Sequence, residues 1–270
     1  MTIFLAILSI LILTLIIGKA NYVLNFKKEL NLLFANSKNI STKKYTHEQL
    51  VGLPGPVQRY FKHVLNENIP YISYVRLKHD GHFKPAVNKN WTDIKGEQYY
   101  TTATPGFMWK GNIGFISARD QYLNDKGSIV ITFLNLINIK RGQGKHFDQG
   151  ELLRWLGESV WFPTNLLPSN RLTWLPIDDT TAKLLFNYQE LSLYFIVKFN
   201  EKDEITQLET ERFFDNKSLK PWIGNFYHYK EINGIRIPTV IRASWRLEQG
   251  DHNYVIFNLE EIEYDIPNKY

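Results

Sequence analysis

The sequence predicts a mainly β protein, built on one large curled antiparallel sheet of about eleven strands with a single lid or plug helix. Three observations predict it. From Tyr71 onward, a dozen short segments alternate apolar and polar residues, and turn residues divide them. No strand–helix–strand alternation interrupts the series, so the strands pair antiparallel. Aromatic residues make up 14% of the 270 residues, a content suited to strands and apolar interiors. A sheet with so many strands must curl, split or close. No internal repeat of 20–50 residues is visible, which argues against a propeller or solenoid.

The elements follow in chain order. Residues 3–17 read IFLAILSILILTLII, with no charge before Lys19. Such a run is short for a span of ~20 residues. Lys19 can snorkel, however, and Ala20, Tyr22, Val23, Leu24 and Phe26 extend the apolar character. No Lys or Arg precedes the run, and Gly18-Lys19-Ala20 is a poor cleavage site, so an uncleaved membrane anchor is expected rather than a signal peptide. The run has no polar face, which disfavours a buried core helix. Residues 1–20 are the expected anchor, 21–45 a juxtamembrane helix and linker, and 46–270 one β-rich domain.

Thr46 and Gln49 form a capping-box pattern that starts a short helix ending at Leu53-Pro54. A second helix is expected over 56–65, with Val57, Tyr60, Phe61, Val64 and Leu65 at helical spacing. Strands are expected over 72–83, 91–102, 107–117, 119–124 and 128–140. After an interruption they resume over 172–177, 183–189, 191–200, 204–214, 226–232, 235–248 and 253–264. Asp80-Gly81, Asn124 to Gly127 and Gly250-Asp251 are turn signals, and Asn233-Gly234 is the cleanest hairpin. The interruption at 148–161 is the lid or plug helix. Asp148 and Glu151 resemble a capping box. Leu152, Trp155, Leu156, Ser159 and Val160 share one face, Arg154, Glu158 and Trp161 another, and Pro163 ends the helix.

The stretches LPGPVQRYF (53–61), PGFMWKG (105–111), GELLRWLGESVWFP (150–163), ETERFF (209–214), PWIGNFYHY (221–229) and GIRIPTVIRASW (234–245) resemble an uncharacterised family of bacterial membrane-anchored proteins. The similarity covers residues 46–265 and brings no assigned activity. The strand count and helix placement are also similar to lipoprotein carriers of the LolA/LolB-like type. That resemblance implies an open antiparallel half-barrel whose helices cover an apolar cavity, and a body on the outer face of the inner membrane.

Charge placement points the other way on location. Residues 1–44 hold six lysines and one acid, leaving 26 basic and 26 acidic residues in the rest. All lysines near the apolar run follow it, which favours a cytoplasmic body. A neutral body gives no basic stripe for nucleic acid. The chain has no cysteine, which excludes disulfides, Cys-based metal sites and a thiol nucleophile. Neither GxSxG nor a complete phosphate loop is present, since His146 follows Gly142-Gln143-Gly144-Lys145. His79 and His82 flank Asp80-Gly81, where a polar hairpin is the simplest reading.

No catalytic residue, metal or cofactor is assigned. The ligand-cavity candidates are Trp109, Arg154, Trp155, Glu158, Trp161, Glu211, Arg212 and Trp222. Arg154 and Glu158 can pair along a helix, and inward charges would need partners such as Arg154–Glu211 or Arg212–Glu158. The function expected is that of a non-enzymatic, membrane-anchored module binding an apolar, lipid-like ligand. A structural or protein-interaction module of the envelope is the alternative. An enzyme on a membrane-derived substrate, using Arg154, Glu158 and Glu211, is the third reading.

Overall fold

The computed structural model describes residues 2–37 and 39–270; Met1 of the expected anchor and Lys38 of the expected linker lie outside the described residues. With no proline or glycine cluster to stop it, the first helix, α1, runs without a break over Thr2–Ala35. Its first half is exposed from Ile3 to Ile17, apart from the half-buried Leu15. Its second half buries Phe26, Leu30 and Leu33, a single stripe at helical spacing. The stripe packs on Tyr99, Met108 and Leu123 of the sheet. Arg119 donates to Glu29 at 2.6 Å beside it.

Thr46 precedes a 3-10 turn, His47–Leu50, and its N–H donates to Gln49 Oε1 at 3.4 Å. The second helix, α2, spans Gly55–Val64 and buries Val57, Tyr60, Phe61 and Val64.

Thirteen strands follow: β1 (Tyr74–Phe83), β2 (Thr92–Thr101), β3 (Gly106–Ile113), β4 (Ile116–Leu123), β5 (Lys126–Phe133), β6 (Ile137–Gln143), β7 (Leu172–Pro176), β8 (Thr181–Tyr188), β9 (Leu191–Phe199), β10 (Ile205–Phe213), β11 (Leu219–Ile232), β12 (Ile235–Leu247) and β13 (Gly250–Tyr264). They form one sheet in the order 6-5-4-3-2-1-13-12-11-10-9-8-7. Every pairing is antiparallel, and β6 and β7 are its two unpaired edges. The third helix, α3 (Lys145–Gly157), leads through 3-10 turns at Glu158–Trp161 and Pro163–Leu166 from one edge to the other. It contacts β3 to β6 on one flank and β9 and β10 on the other. The sheet therefore curls around it as an open half-barrel. Strand alternation divides the two faces: Tyr100 and Phe107 bury on the α3 side, Tyr99 and Met108 on the α1 side.

Five local expectations are corrected. Segment 107–117 stops at Ile113, and 128–140 is two strands, because Leu134 and Asn135 take positive φ (53° and 59°) and turn the chain. The 226–232 strand begins at Leu219. The helix begins at Lys145, and Asp148 does not cap it; its carboxylate accepts from the Gly127 N–H at 2.8 Å instead. Asp80-Gly81 is no turn, since β1 runs straight through it. Gly81 sits at φ 144°, and a Cβ there would collide with the Ile256 carbonyl on β13. The glycine serves a close approach of two strands rather than a reversal.

Gly81→Ala should therefore lower the unfolding free energy of the full chain by about 1–3 kcal/mol in denaturant titrations. Unchanged stability would contradict the close-approach reading.

Candidate functional site

Glu151, Arg154 and Glu158 stand at i, i+3 and i+7, so they form one stripe along α3 and its 3-10 extension. Arg154 Nε donates to Glu158 Oε1 at 3.0 Å. Its Nη1 donates to Asp120 Oδ2 on β4, and its Nη2 reaches Gln98 Oε1 on β2 at 3.4 Å. Glu158 Oε2 accepts from Gln98 Nε2 at 2.7 Å and from the Tyr100 hydroxyl at 2.9 Å. The Arg154 guanidinium lies over the rings of Phe107 and Trp109, at 5.1 and 5.0 Å. Trp109 Nε1 donates in turn to His79 Nε2 at 2.8 Å. On the other flank, Arg212 of β10 donates to Glu151 Oε1 at 3.1 Å and lies over Trp222 at 5.1 Å.

These groups are buried, and burial sets their charge. Desolvation, then the neighbouring Asp120, push the Glu151 carboxyl well above the usual carboxylate range and favour its protonated form. Glu151 Oε2 and Asp120 Oδ1 are both buried without another partner. A protonated Glu151 supplies the donor that this pair of carboxyl groups needs. The cluster then balances two guanidinium groups against two carboxylates. Desolvation lowers His79 to about 4, so it is neutral; its Nδ1–H donates to the Asp80 carbonyl at 3.1 Å while Nε2 accepts from Trp109. Burial, reinforced by Glu158, raises the Tyr100 hydroxyl well above its ordinary value and keeps it a donor.

The arrangement pins α3 to β2, β4 and β10 at once. Such a network is a positional lock more than a source of net stability, because desolvation consumes much of its Coulomb energy.

Among the candidates read from the sequence, Trp109, Arg154, Glu158, Arg212 and Trp222 gather here. Trp155 and Trp161 are fully buried in the core, donating to the Thr101 and Pro238 carbonyls at 2.9 and 3.0 Å. Glu211 is exposed on the outer side of β10, because adjacent strand residues face opposite ways. The anticipated pairs Arg154–Glu211 and Arg212–Glu158 are thus replaced by Arg154 with Glu158 and Asp120, and Arg212 with Glu151. Gln98, Tyr100, Asp120, Glu151 and His79 complete the cluster and lie outside the sequence-derived candidates. Register carries the signal for two of them: Trp109 lies opposite Gln98 on β2 and Asp120 on β4. His82 points away from His79 and faces Asp93 at 3.0 Å.

The expected elongated apolar cavity is not an open space here. Leu152, Trp155, Leu156, Tyr100, Phe107 and Phe195 fill the region between α3 and the sheet, each at most 1% exposed. Two shallow pockets, of 180 and 190 Å³, lie elsewhere: one beside Lys84, Trp91 and His252, the other beside Glu29, Arg119 and Arg141. Among the described residues, no three His, Asp or Glu side chains gather as metal ligands.

Comparison with known proteins adds a family and distant folds. The model of a family of unknown function, DUF6544, matches residues 43–257. A LolA superfamily protein from Nitrosomonas europaea aligns at 12% identity over 76% of this chain and 92% of its own, with a TM-score of 0.37. A DUF1329 family protein from Desulfovibrio piger ATCC 29098 aligns at 11% identity over 73% and 88%, also at 0.37. No curated protein matches.

Removing the central cation isolates two buried acids. Arg154→Met should lower stability by about 3–5 kcal/mol, whereas Glu211→Gln should stay within about 0.5 kcal/mol; equal effects would refute the placement. Glu151 gives a pH signature. Its folded pKa is raised, so its contribution is present below the ordinary carboxylate range and is lost as pH rises. Glu151→Gln keeps the neutral form. Its melting temperature relative to the parent should therefore climb between pH 4.5 and pH 8, and a flat difference would mean that Glu151 is ionised in the fold.

Proposed function

The chain belongs to DUF6544, a family of unknown function, and from its geometry we propose a membrane-anchored, non-enzymatic module that takes an apolar, lipid-like ligand onto the concave face of its half-barrel when α3 lifts. The observation that carries this reading is the buried ionic lock between α3 and the sheet. A permanent core would be held as well, or better, by apolar side chains. Charged groups at a removable interface regain water on opening, so their exposure costs far less than exposing the same area of leucine. Under them lies an aromatic face that a departing α3 would leave uncovered.

Two further features support the reading. Helix α1, Thr2–Ala35, is long and apolar enough to cross a membrane, and it would hold the body beside its ligand source. The buried acids and guanidinium groups are paired with one another instead of turning towards an open cleft, which favours binding over catalysis. The filled interior supports a second reading, a structural or protein-interaction module in which α3 never opens.

A titration of the detergent-solubilised full chain with a fluorescent fatty acid separates the two. Saturable binding near one ligand per chain, with an acyl species found by native mass spectrometry, is the expected result. Absence of both would leave the structural module as the account of the fold.

A further inference from the structure

The hairpins at one end of β3 to β6 carry an apolar patch that is unusual for a protein surface. Phe115 is 72% exposed and Ile137 62%, with Ile116, Phe133, Leu136 and Ile139 also exposed around them. These residues form one continuous surface. Ile116 pairs with Phe133, Ile137 with Phe133, and the Leu134 N–H donates to the Phe115 carbonyl at 2.8 Å. The patch ends in cations, with Lys140 following Ile139 on the edge strand β6.

The patch also has a fixed position along α1. Gly18 is buried against Leu136, and a Cβ at Gly18 would collide with the Leu136 side chain. The turn between β5 and β6 therefore sits flush on the helix at residue 18. From there α1 runs one way past Tyr22 to its docked stripe, and the other way into the exposed apolar run.

Helix length then sets the depth. Ile3 to Ile17 covers only ~22 Å, whereas the hydrocarbon layer is ~30 Å thick. Extending the apolar segment to Leu24 gives ~33 Å and sets Tyr22 near the interface, where an aromatic ring is favoured. Gly18 then lies ~9 Å inside the boundary, and Leu136, packed on it, lies there too. Ile137 to Ile139 rises ~7 Å along the strand. That brings Lys140 up to the headgroups, where Lys19 also reaches by snorkelling.

We propose that the β3–β4 and β5–β6 hairpin tips insert into the same lipid bilayer that α1 crosses, with Phe115, Leu136 and Ile137 in the acyl region and Lys19 and Lys140 at anionic headgroups. The body is then seated on the membrane at a fixed angle, and the unpaired end of edge strand β6 is covered by lipid. The occupant is a lipid surface because the patch continues the exposed apolar face of α1 and shares its level. Burial ~5–10 Å deep is the usual depth of interfacial apolar elements. This inference rests on α1 being the membrane anchor.

The chain has no cysteine, so single-cysteine variants carry one label each. Leu11→Cys, Phe115→Cys, Ile137→Cys and Val51→Cys in the full chain, spin-labelled in vesicles of phosphatidylethanolamine and phosphatidylglycerol, test it. The expected result is that Leu11, Phe115 and Ile137 labels favour oxygen over a water-soluble nickel chelate several-fold, while the Val51 label favours nickel. Phe115 and Ile137 labels that behave like Val51, with Leu11 still in the bilayer, would overturn the insertion and leave the anchor standing. Labels shielded from both reagents would overturn it in favour of a protein contact. A water-exposed Leu11 label would overturn the anchor and this inference together.

Discussion

A sheet of thirteen strands that curls without closing has one concave apolar face and two unpaired edges, and a single excursion of the chain has to cover that face while it joins the edges. The segment between β6 and β7 does so. It leaves one edge, crosses the concave face as α3 and arrives at the other edge. Trp155 and Leu156 fill the trough, and Arg154 reaches across to Asp120 while Glu151 meets Arg212. The rest of the body is arranged around that crossing. α2 covers apolar surface that α3 leaves free, and the register of β2, β3 and β4 stacks Gln98, Trp109 and Asp120 into one row beneath the helix.

The chemistry of the crossing is as informative as its path. Five ionisable side chains are buried together here because two guanidinium groups face three acids, of which Glu151 is pushed towards its neutral form. The rings of Phe107, Trp109 and Trp222 hold the guanidinium planes in a setting with little water. The opposite face of the same sheet uses different means. Phe26, Leu30 and Leu33 of α1 pack on Tyr99 and Met108, and a single ion pair, Arg119 with Glu29, flanks them. α1 thus meets the sheet through an apolar stripe with one flanking ion pair, and α3 through apolar packing together with a network of several charged side chains. That difference in fastening is why α3, and not α1, is the element proposed to move.

Much of the architecture was legible in the sequence. Period-two alternation gave the antiparallel sheet, and the one break in it gave α3. Arg154 and Glu158 were identified as a pair by helical spacing alone. Gly81 misled because glycine after aspartate signals a turn, whereas its role depends on β13, which lies far away in sequence. The strand running to Lys140 was read as continuous because the turn at Leu134 and Asn135 lacks glycine and proline, so its positive φ values leave no compositional trace. Asp120 and Gln98 could not be grouped without register, since a partner's identity depends on which strand residue lies opposite, whereas Glu151 stands three residues before Arg154 on the same helix. Filling of the trough was equally hidden: aromatic content is the same whether the rings line a cavity or occupy it.

The central claim is that α3 opens while the sheet stays folded. Hydrogen exchange of the detergent-solubilised full chain, with and without oleate, tests it most directly. The account predicts that amides of α3 exchange through an opening that leaves β11, β12 and β13 protected, and that oleate shifts exchange in α3 alone. Protection of α3 equal to that of the central strands, and unchanged by oleate, would contradict it.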